Sequence, residues 1–359
     1  MRKTRVLVVE DSLTVRKYLV ECFQADPEFE VVAEADDGKK AIELCERLRP
    51  DVVTIDMVLP VMSGLSATEY IMAYCPTPIV IVSASTNRGE LFRTYEALAA
   101  GAIEVIEKPL DDTSNPEWER KLLSTVKLVS RIKVITHLRA KLGQTRKDPP
   151  VASSLPSRQG PVSSCQYLAI GASTGGPQAL ATLLRALPAD YPLPILIVMH
   201  ISPIFGVAFA DWLNDHSSIP VVMVVRDQPL PSFGTPCVLL APPDRHLIVR
   251  ERKLMLTYDR EIHSCRPSVD VLFQSIAEEI GKLAAAVLLT GMGRDGAKGL
   301  LAIREAGGLT IAQDEATSVV FGMPREAILL GAARHVLPLE EIATTIASLA
   351  VAGNGGKKS

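Results

Sequence analysis

The chain has 359 residues, of which 47% are hydrophobic and 22% charged, so it is too long for one small core and too apolar for a disordered or fibrous protein; about two domains are expected. Its 38 basic residues stand against 41 acidic ones for a formal net charge of -3, and no positive field draws it to a nucleic acid backbone. The apolar run in MRKTRVLVVED stops at Glu10 and Asp11, too short for an export signal, and stretches such as LAAAVLLT from Leu283 fall short of the roughly 18 to 20 residues of a membrane span; a cytoplasmic, monomeric protein without membrane insertion is expected.

Short β-branched runs alternate with helical patterns through the first part of the chain: VLVV from Val6, VVA from Val31, VVTI from Val52, PIVIVS from Pro78 and AIEVIE from Ala102. They are apolar throughout, as strands covered by helices on both faces should be, and predict a five-stranded parallel sheet over 1–125. A helical pattern runs from Pro116 to about Leu142, and KDPPVASSLPSRQGPVSS then reads as a linker, so 126–164 is taken as a helix extension and interdomain connection. From residue 165 to 350 the alternation resumes: strand YLAIGA, a helix from Pro177 to about Leu187, strand PILIVMH, a helix around Phe205 to Asp215, and strand VVMVV. LIVR and LMLTY flank the polar stretch Glu251 to Lys253 and predict a β-hairpin, followed by a helix from Val269 to Ile280, strand AAVLLT, a helix from Ala297 to Ala306, and strand LTIAQ. This is a second, doubly wound α/β domain, and 351–359 reads as a frayed tail. The scattered cysteines, Cys22, Cys45, Cys75, Cys165, Cys237 and Cys265, form no C-x-x-C pair and read as reduced fillers of apolar space.

In the first domain Glu10 and Asp11 follow the first strand and Asp56 the third, so a parallel sheet gathers these carboxylates at one edge, where open α/β sheets place their sites. Such a set suits a hard cation, Mg²⁺ with retained waters. Ser83 ends the fourth strand and Lys108 the fifth, a hydroxyl and a compact positive charge for a phosphoryl group. The constellation resembles the receiver domain of bacterial response regulators, a flavodoxin-like fold. The resemblance makes Asp56 the phosphoacceptor, Glu10, Asp11 and Asp56 the Mg²⁺ ligands together with the Val58 carbonyl, and Ser83 and Lys108 the switch residues. Two positions depart from the family pattern: Leu59-Pro60 replaces Met-Pro, and Val105 stands where an aromatic usually precedes the lysine.

In the second domain the strand YLAIGA delivers Ser173 into the loop Ser173-Thr174-Gly175-Gly176-Pro177, which opens a helix and whose N–H groups favour negative charge. No G-x-x-x-x-G-K-[ST] pattern occurs, so the serine reads as a nucleophile rather than part of a nucleotide loop. His200 ends the next strand and is the candidate base, while His246 and His263 in the hairpin region stay open as alternatives. Asp295, in the glycine-rich turn of LLTGMGRDGA, reads either as the carboxylate orienting the imidazole or as the N-cap of the helix beginning near Gly296. Thr174 and Met292 offer backbone N–H groups as oxyanion donors.

The order serine, histidine, aspartate and the lack of G-x-S-x-G exclude an α/β-hydrolase. IGASTGGP, the strand ending in His200, RPSVDVLF from Arg266, LLTGMGRDGA and FGMPREAI resemble the catalytic domain of the CheB family, the chemotaxis-type protein-glutamate methylesterases, and the receiver ahead of them completes that architecture. The resemblance implies a phosphorylation-regulated carboxylic ester hydrolase that cleaves γ-glutamyl methyl esters on methyl-accepting chemotaxis receptors, with a glutamine deamidase activity. Ser173 is its nucleophile, His200 its base and Asp295 its orienting carboxylate. It implies a sensor histidine kinase of CheA type as phosphodonor and no cofactor for the esterase. Ile201-Ser202-Pro203 departs from the usual Met-Pro-Pro after the histidine. A receiver-controlled binding module that docks on receptors with little turnover is the alternative.

Overall fold

A computed structural model describes residues 2–84, 87–109, 115–132, 134 and 165–352. The chain divides into two compact units, 1–153 and 154–359. In the first, β1 (Thr4–Val9), α1 (Leu13–Ala25), β2 (Phe29–Ala35), α2 (Gly38–Leu48), β3 (Val52–Ile55), α3 (Gly64–Tyr74), β4 (Ile79–Ser83), α4 (Arg88–Ala99), β5 (Glu104–Glu107) and α5 (Pro116–Val129) alternate as expected. The sheet runs in the order β2-β1-β3-β4-β5 with all neighbours parallel. Each helix starts where a short polar side chain accepts an orphan N–H: Ser12, Asp37, Ser63, Asn87 and Asn115. Glu10, Asp56 and Lys108 directly follow their strands and Ser83 ends its own, so the four lie along one edge of the sheet.

The last helix is shorter than its sequence pattern. It ends at Val129, where the Ser130 hydroxyl turns back to the Lys127 carbonyl. The remaining pattern to Leu142, the linker KDPPVASSLPSRQGPVSS and the tail from Gly353 lie outside the described residues.

The second unit contains β6 (Tyr167–Ala172), α6 (Gly176–Arg185), β7 (Ile195–Met199), α7 (Pro203–Asp215), β8 (Val221–Met223), β9 (Gln228–Pro229), β10 (Val238–Leu240), β11 (His246–Arg250), β12 (Lys253–Thr257), α8 (Val269–Glu279), β13 (Ala284–Leu288), α9 (Ala297–Glu305), β14 (Leu309–Gln313), α10 (Met323–Leu329), β15 (His335–Leu337) and α11 (Leu339–Ala352). Seven strands form a parallel sheet ordered β15-β14-β13-β6-β7-β10-β8, and β11-β12-β9 form a small antiparallel sheet. The predicted hairpin is present, its turn made by Glu251 and Arg252 at φ 50 and 57. Strand β10 and helices α10 and α11 are not anticipated from the sequence pattern: the short run Val238–Leu240 between Pro236 and Pro242 carries no period, and Pro324 interrupts the α10 region. Phe273, Ile276, Leu300 and Ile303 from α8 and α9 are fully buried in the core with Leu288 of β13.

From β6 the chain builds outward to β7 on one side, then returns to place β13 on the other side of β6. The side on which successive strands are added reverses there, which makes the C-terminal end of β6 the place where a parallel sheet opens a crevice.

Candidate active site

Ser173 and His200 are the residues that follow β6 and β7. Ala172 and Met199 are register partners, and the His200 N–H donates to the Ala172 carbonyl at 3.2 Å, so the two residues leave the sheet side by side. On the opposite flank the Ser173 N–H donates to Thr290 O at 3.0 Å. Gly291 lies directly beneath the serine, since a Cβ there would come within 2.8 Å of Ser173 Cβ and 2.3 Å of Met323 Sδ. Gly175, at φ 77, caps α6 in the left-handed region and lets the chain turn from Ser173 into the helix.

Asp295 is buried, with its Oδ2 2.8 Å from His200 Nε2. It does not cap the helix that follows it, because Gly296 holds that position without a side-chain cap. It sits instead at the N-terminus of α8, where Ser268 Oγ donates at 2.7 Å and the Asp270 N–H at 3.1 Å to Oδ1, and the Val269 N–H donates at 2.7 Å to Oδ2. Burial works to raise this carboxyl, but the His200 contact, Ser268 and Val269 outweigh it and hold Asp295 below the usual carboxylate range. The same burial works to lower His200, and its hydrogen bonds with Asp295 and Cys265 outweigh it, raising the imidazole to about 9. Nδ1 faces Cys265 Sγ at 3.7 Å, and among the described residues no hydrogen bond joins Ser173 Oγ to His200.

Of the expected oxyanion pair, Thr174 is buried and Met292 is 55% exposed at the rim. The histidines left open resolve by contact. His246 is fully buried, its Nδ1 accepting the Ser268 N–H at 3.1 Å and its Nε2 3.2 Å from Arg260 O, so it buttresses the Ser268 turn. His263 lies against Asp270 and Arg294.

In the first unit the register partners Val9 and Ile55 lead into Glu10 and Asp56, and the Lys108 N–H donates to Ser83 O at 3.0 Å. Lys108 Nζ lies 2.7 Å from both Asp56 Oδ2 and Glu10 Oε2. Burial raises Glu10 above its ordinary value, and although burial also pulls on Lys108, the charge of Asp56 holds that ammonium above its own. Oxygen atoms of Glu10, Asp11 and Asp56 all lie within 4.8 Å of one another, a hard donor set that fits a small divalent cation.

Residues 168–346 match the CheB methylesterase family and residues 6–115 the response regulator receiver domain family. The chain is 43% identical over 357 residues to a protein-glutamate methylesterase/protein-glutamine glutaminase of Nitrosospira multiformis, covering 98% of each. It is 43% identical over 348 residues to one of Anaeromyxobacter dehalogenans, covering 97% of each. The chain belongs to the CheB methylesterase family. A crystal structure of the Thermotoga maritima CheB methylesterase catalytic domain aligns with a TM-score of 0.49 and 36% identity, covering 52% of this chain and 98% of that one.

Within this CheB-family site, sequence reasoning misses two supports. Ser268 stands in the RPSVDVLF stretch, and its hydroxyl is spent on Asp295. A serine just ahead of a helix signals an N-cap, and it does cap Val271, but nothing local shows that it also holds a carboxylate from a distant loop. Thr290 is the second: its buried hydroxyl donates to Thr174 O at 2.9 Å and accepts from the Val320 N–H at 2.9 Å, while Gln313 Oε1 accepts its N–H at 2.8 Å. These bonds tie the Ser173 loop to the glycine-rich turn.

Proposed function

We propose that this chain hydrolyses γ-glutamyl methyl esters on methyl-accepting chemotaxis receptors, and deamidates glutamines there, through Ser173, His200 and Asp295, under control of phosphorylation at Asp56. The observation that carries the reading is the His200–Asp295 pair at 2.8 Å, with its carboxylate held by Ser268 and the first N–H groups of α8. A carboxylate so satisfied stays ionised and fixes Nε2–H toward itself, which leaves Nδ1 as the basic nitrogen.

Ser173 Oγ attacks the ester carbonyl as Nδ1 takes its proton, a contact that closes when substrate enters. Negative charge develops on the carbonyl oxygen near the N–H groups of Thr174, just ahead of α6, and of Met292, in the turn after β13. The imidazolium returns the proton to departing methanol, or to ammonia from a glutamine, and water then resolves the acyl-enzyme by the same base. Thr290 keeps the Ser173 loop and the Met292 loop at fixed spacing.

In the receiver, Glu10, Asp11 and Asp56 with the Val58 carbonyl would hold Mg²⁺, which supplies positive charge for phosphoryl transfer when bound. Lys108 and Ser83 take the phosphoryl oxygens. The reading assigns 1–125 to the receiver, 126–164 to the connection, 165–350 to the esterase and 351–359 to a tail, with a CheA-type kinase as donor and a monomer as the working form. The test is methanol release from methylated receptor fragments with and without a small phosphodonor. Absence of methanol under both conditions overturns the reading.

A further inference from the structure

The imidazole of His200 has one nitrogen committed to Asp295, and the side chain found at its other nitrogen is not the serine but Cys265, with Sγ 3.7 Å from Nδ1. Thiol, imidazole and buried carboxylate stand in line, the arrangement that activates a cysteine nucleophile. Cys265 is therefore no filler of apolar space. It is partly exposed, whereas Cys22, Cys45, Cys75 and Cys165 are buried.

Its position is built rather than incidental. Cys265 closes a tight turn with Ile262, through N–H to carbonyl bonds of 2.9 and 3.3 Å in both directions, and the central residues His263 and Ser264 take φ 54 and 59. That conformation favours Asn-Gly, so here tertiary contacts hold it. His263 Nε2 lies 3.4 Å from Asp270 Oδ2, Arg294 Nε donates to His263 Nδ1 at 3.2 Å, and Cys265 Sγ lies 3.4 Å from His263 O. Asp270 is in turn anchored by the Gly299 N–H at 2.7 Å. The turn thus delivers the thiol to the nitrogen on which Ser173 must also depend.

We propose that Cys265 is a modification site, a thiol activated by the His200–Asp295 pair, at which exchange with a low-molecular-weight disulfide switches the esterase off. In the neutral form of His200, Nδ1 takes the thiol proton and Sγ attacks one sulfur of the disulfide. A new S–S bond forms, the old one breaks, and the leaving thiolate takes the proton back from His200. The adduct covers Nδ1, so Ser173 can no longer pass its proton there. The inhibition, though not the thiol chemistry, rests on His200 being the base of the esterase.

The test uses the full chain and two readouts. Iodoacetamide labelling followed by mass spectrometry should show Cys265 reacting at least about tenfold faster than Cys237, the other partly exposed cysteine, whose thiol burial pushes up. His200→Gln, with Asp295→Asn as a second variant, should bring Cys265 down to the Cys237 rate. Oxidised glutathione should add one glutathione at Cys265 and lower methanol release at least about tenfold, with recovery on adding a thiol reductant. Cys265→Ala should keep its own rate in oxidised glutathione. Equal labelling of Cys265 and Cys237, labelling indifferent to both variants, or equal inhibition of Cys265→Ala would each overturn the proposal, as would an adduct that leaves esterase running. Ser173→Ala should still form the adduct, because it keeps His200; methanol release surviving in that variant would count against the esterase reading instead.

Discussion

The sharpest consequence of the site concerns pH. The carboxylate and the thiol beside His200 raise it from an ordinary 6.5 to about 9, a preference for the imidazolium of roughly 3 kcal/mol. Only the neutral ring can accept the serine proton, so at pH 7 about one molecule in a hundred holds the active form in the free enzyme. The kcat/KM for methanol release should therefore climb about tenfold per unit between pH 6 and 8 and level off near 9, after subtraction of spontaneous ester hydrolysis. Asp295→Asn removes the main source of the rise. Its profile should flatten at a lower pH while the plateau falls, by about 10⁴ where an orienting carboxylate is lost in other triads. A wild-type plateau already complete at pH 7, with a methyl-leaving-group isotope effect showing chemistry to be rate-limiting, would refute the argument that Asp295 governs this base.

The same pair bears on stability: a histidine raised in the folded state contributes fully below its unfolded value of 6.5 and loses that contribution as pH rises through about 9, so thermal melts should show the second unit weakening across that window and Asp295→Asn flattening it. Ser173→Ala should abolish methanol release, a loss of about 10⁶ for a triad nucleophile, with an unchanged circular dichroism melt. Gly291→Ala would drive a methyl into Ser173 Cβ at 2.8 Å, and kcat should fall at least about a hundredfold as the nucleophile is displaced. Ser268→Ala removes both a cap and a donor to Asp295; a melt showing a loss below about 0.5 kcal/mol would contradict its double role. Asp56→Ala should hold methanol release at its basal rate whatever phosphodonor is added, and a response to phosphodonor in that variant would move the acceptor elsewhere.

Much of this molecule is legible in its sequence because parallel strands buried on both faces announce themselves as continuous apolar runs, and residues that follow such strands fall on one edge. Glu10, Asp56, Ser83 and Lys108 could be named that way, and so could Ser173 and His200, since β6 and β7 are consecutive in the chain and adjacent in the sheet. Where local signals are short the reading fails. Three residues make β10, and α5 stops at Val129 although its apolar pattern runs on. The alternation of strands and helices, and the chemistry carried at each strand end, can be read from residue order alone. Folding in three dimensions sets how those groups are wired. It sets Asp295 on the N-terminus of α8 rather than on its own helix, gives Ser268 and Thr290 their supporting bonds, makes His246 a buttress, and brings the Cys265 thiol to Nδ1 of His200. Each of those contacts joins residues far apart in the chain. A hydrogen bond is specific in distance and angle, whereas sequence patterning reports only which face of an element is apolar.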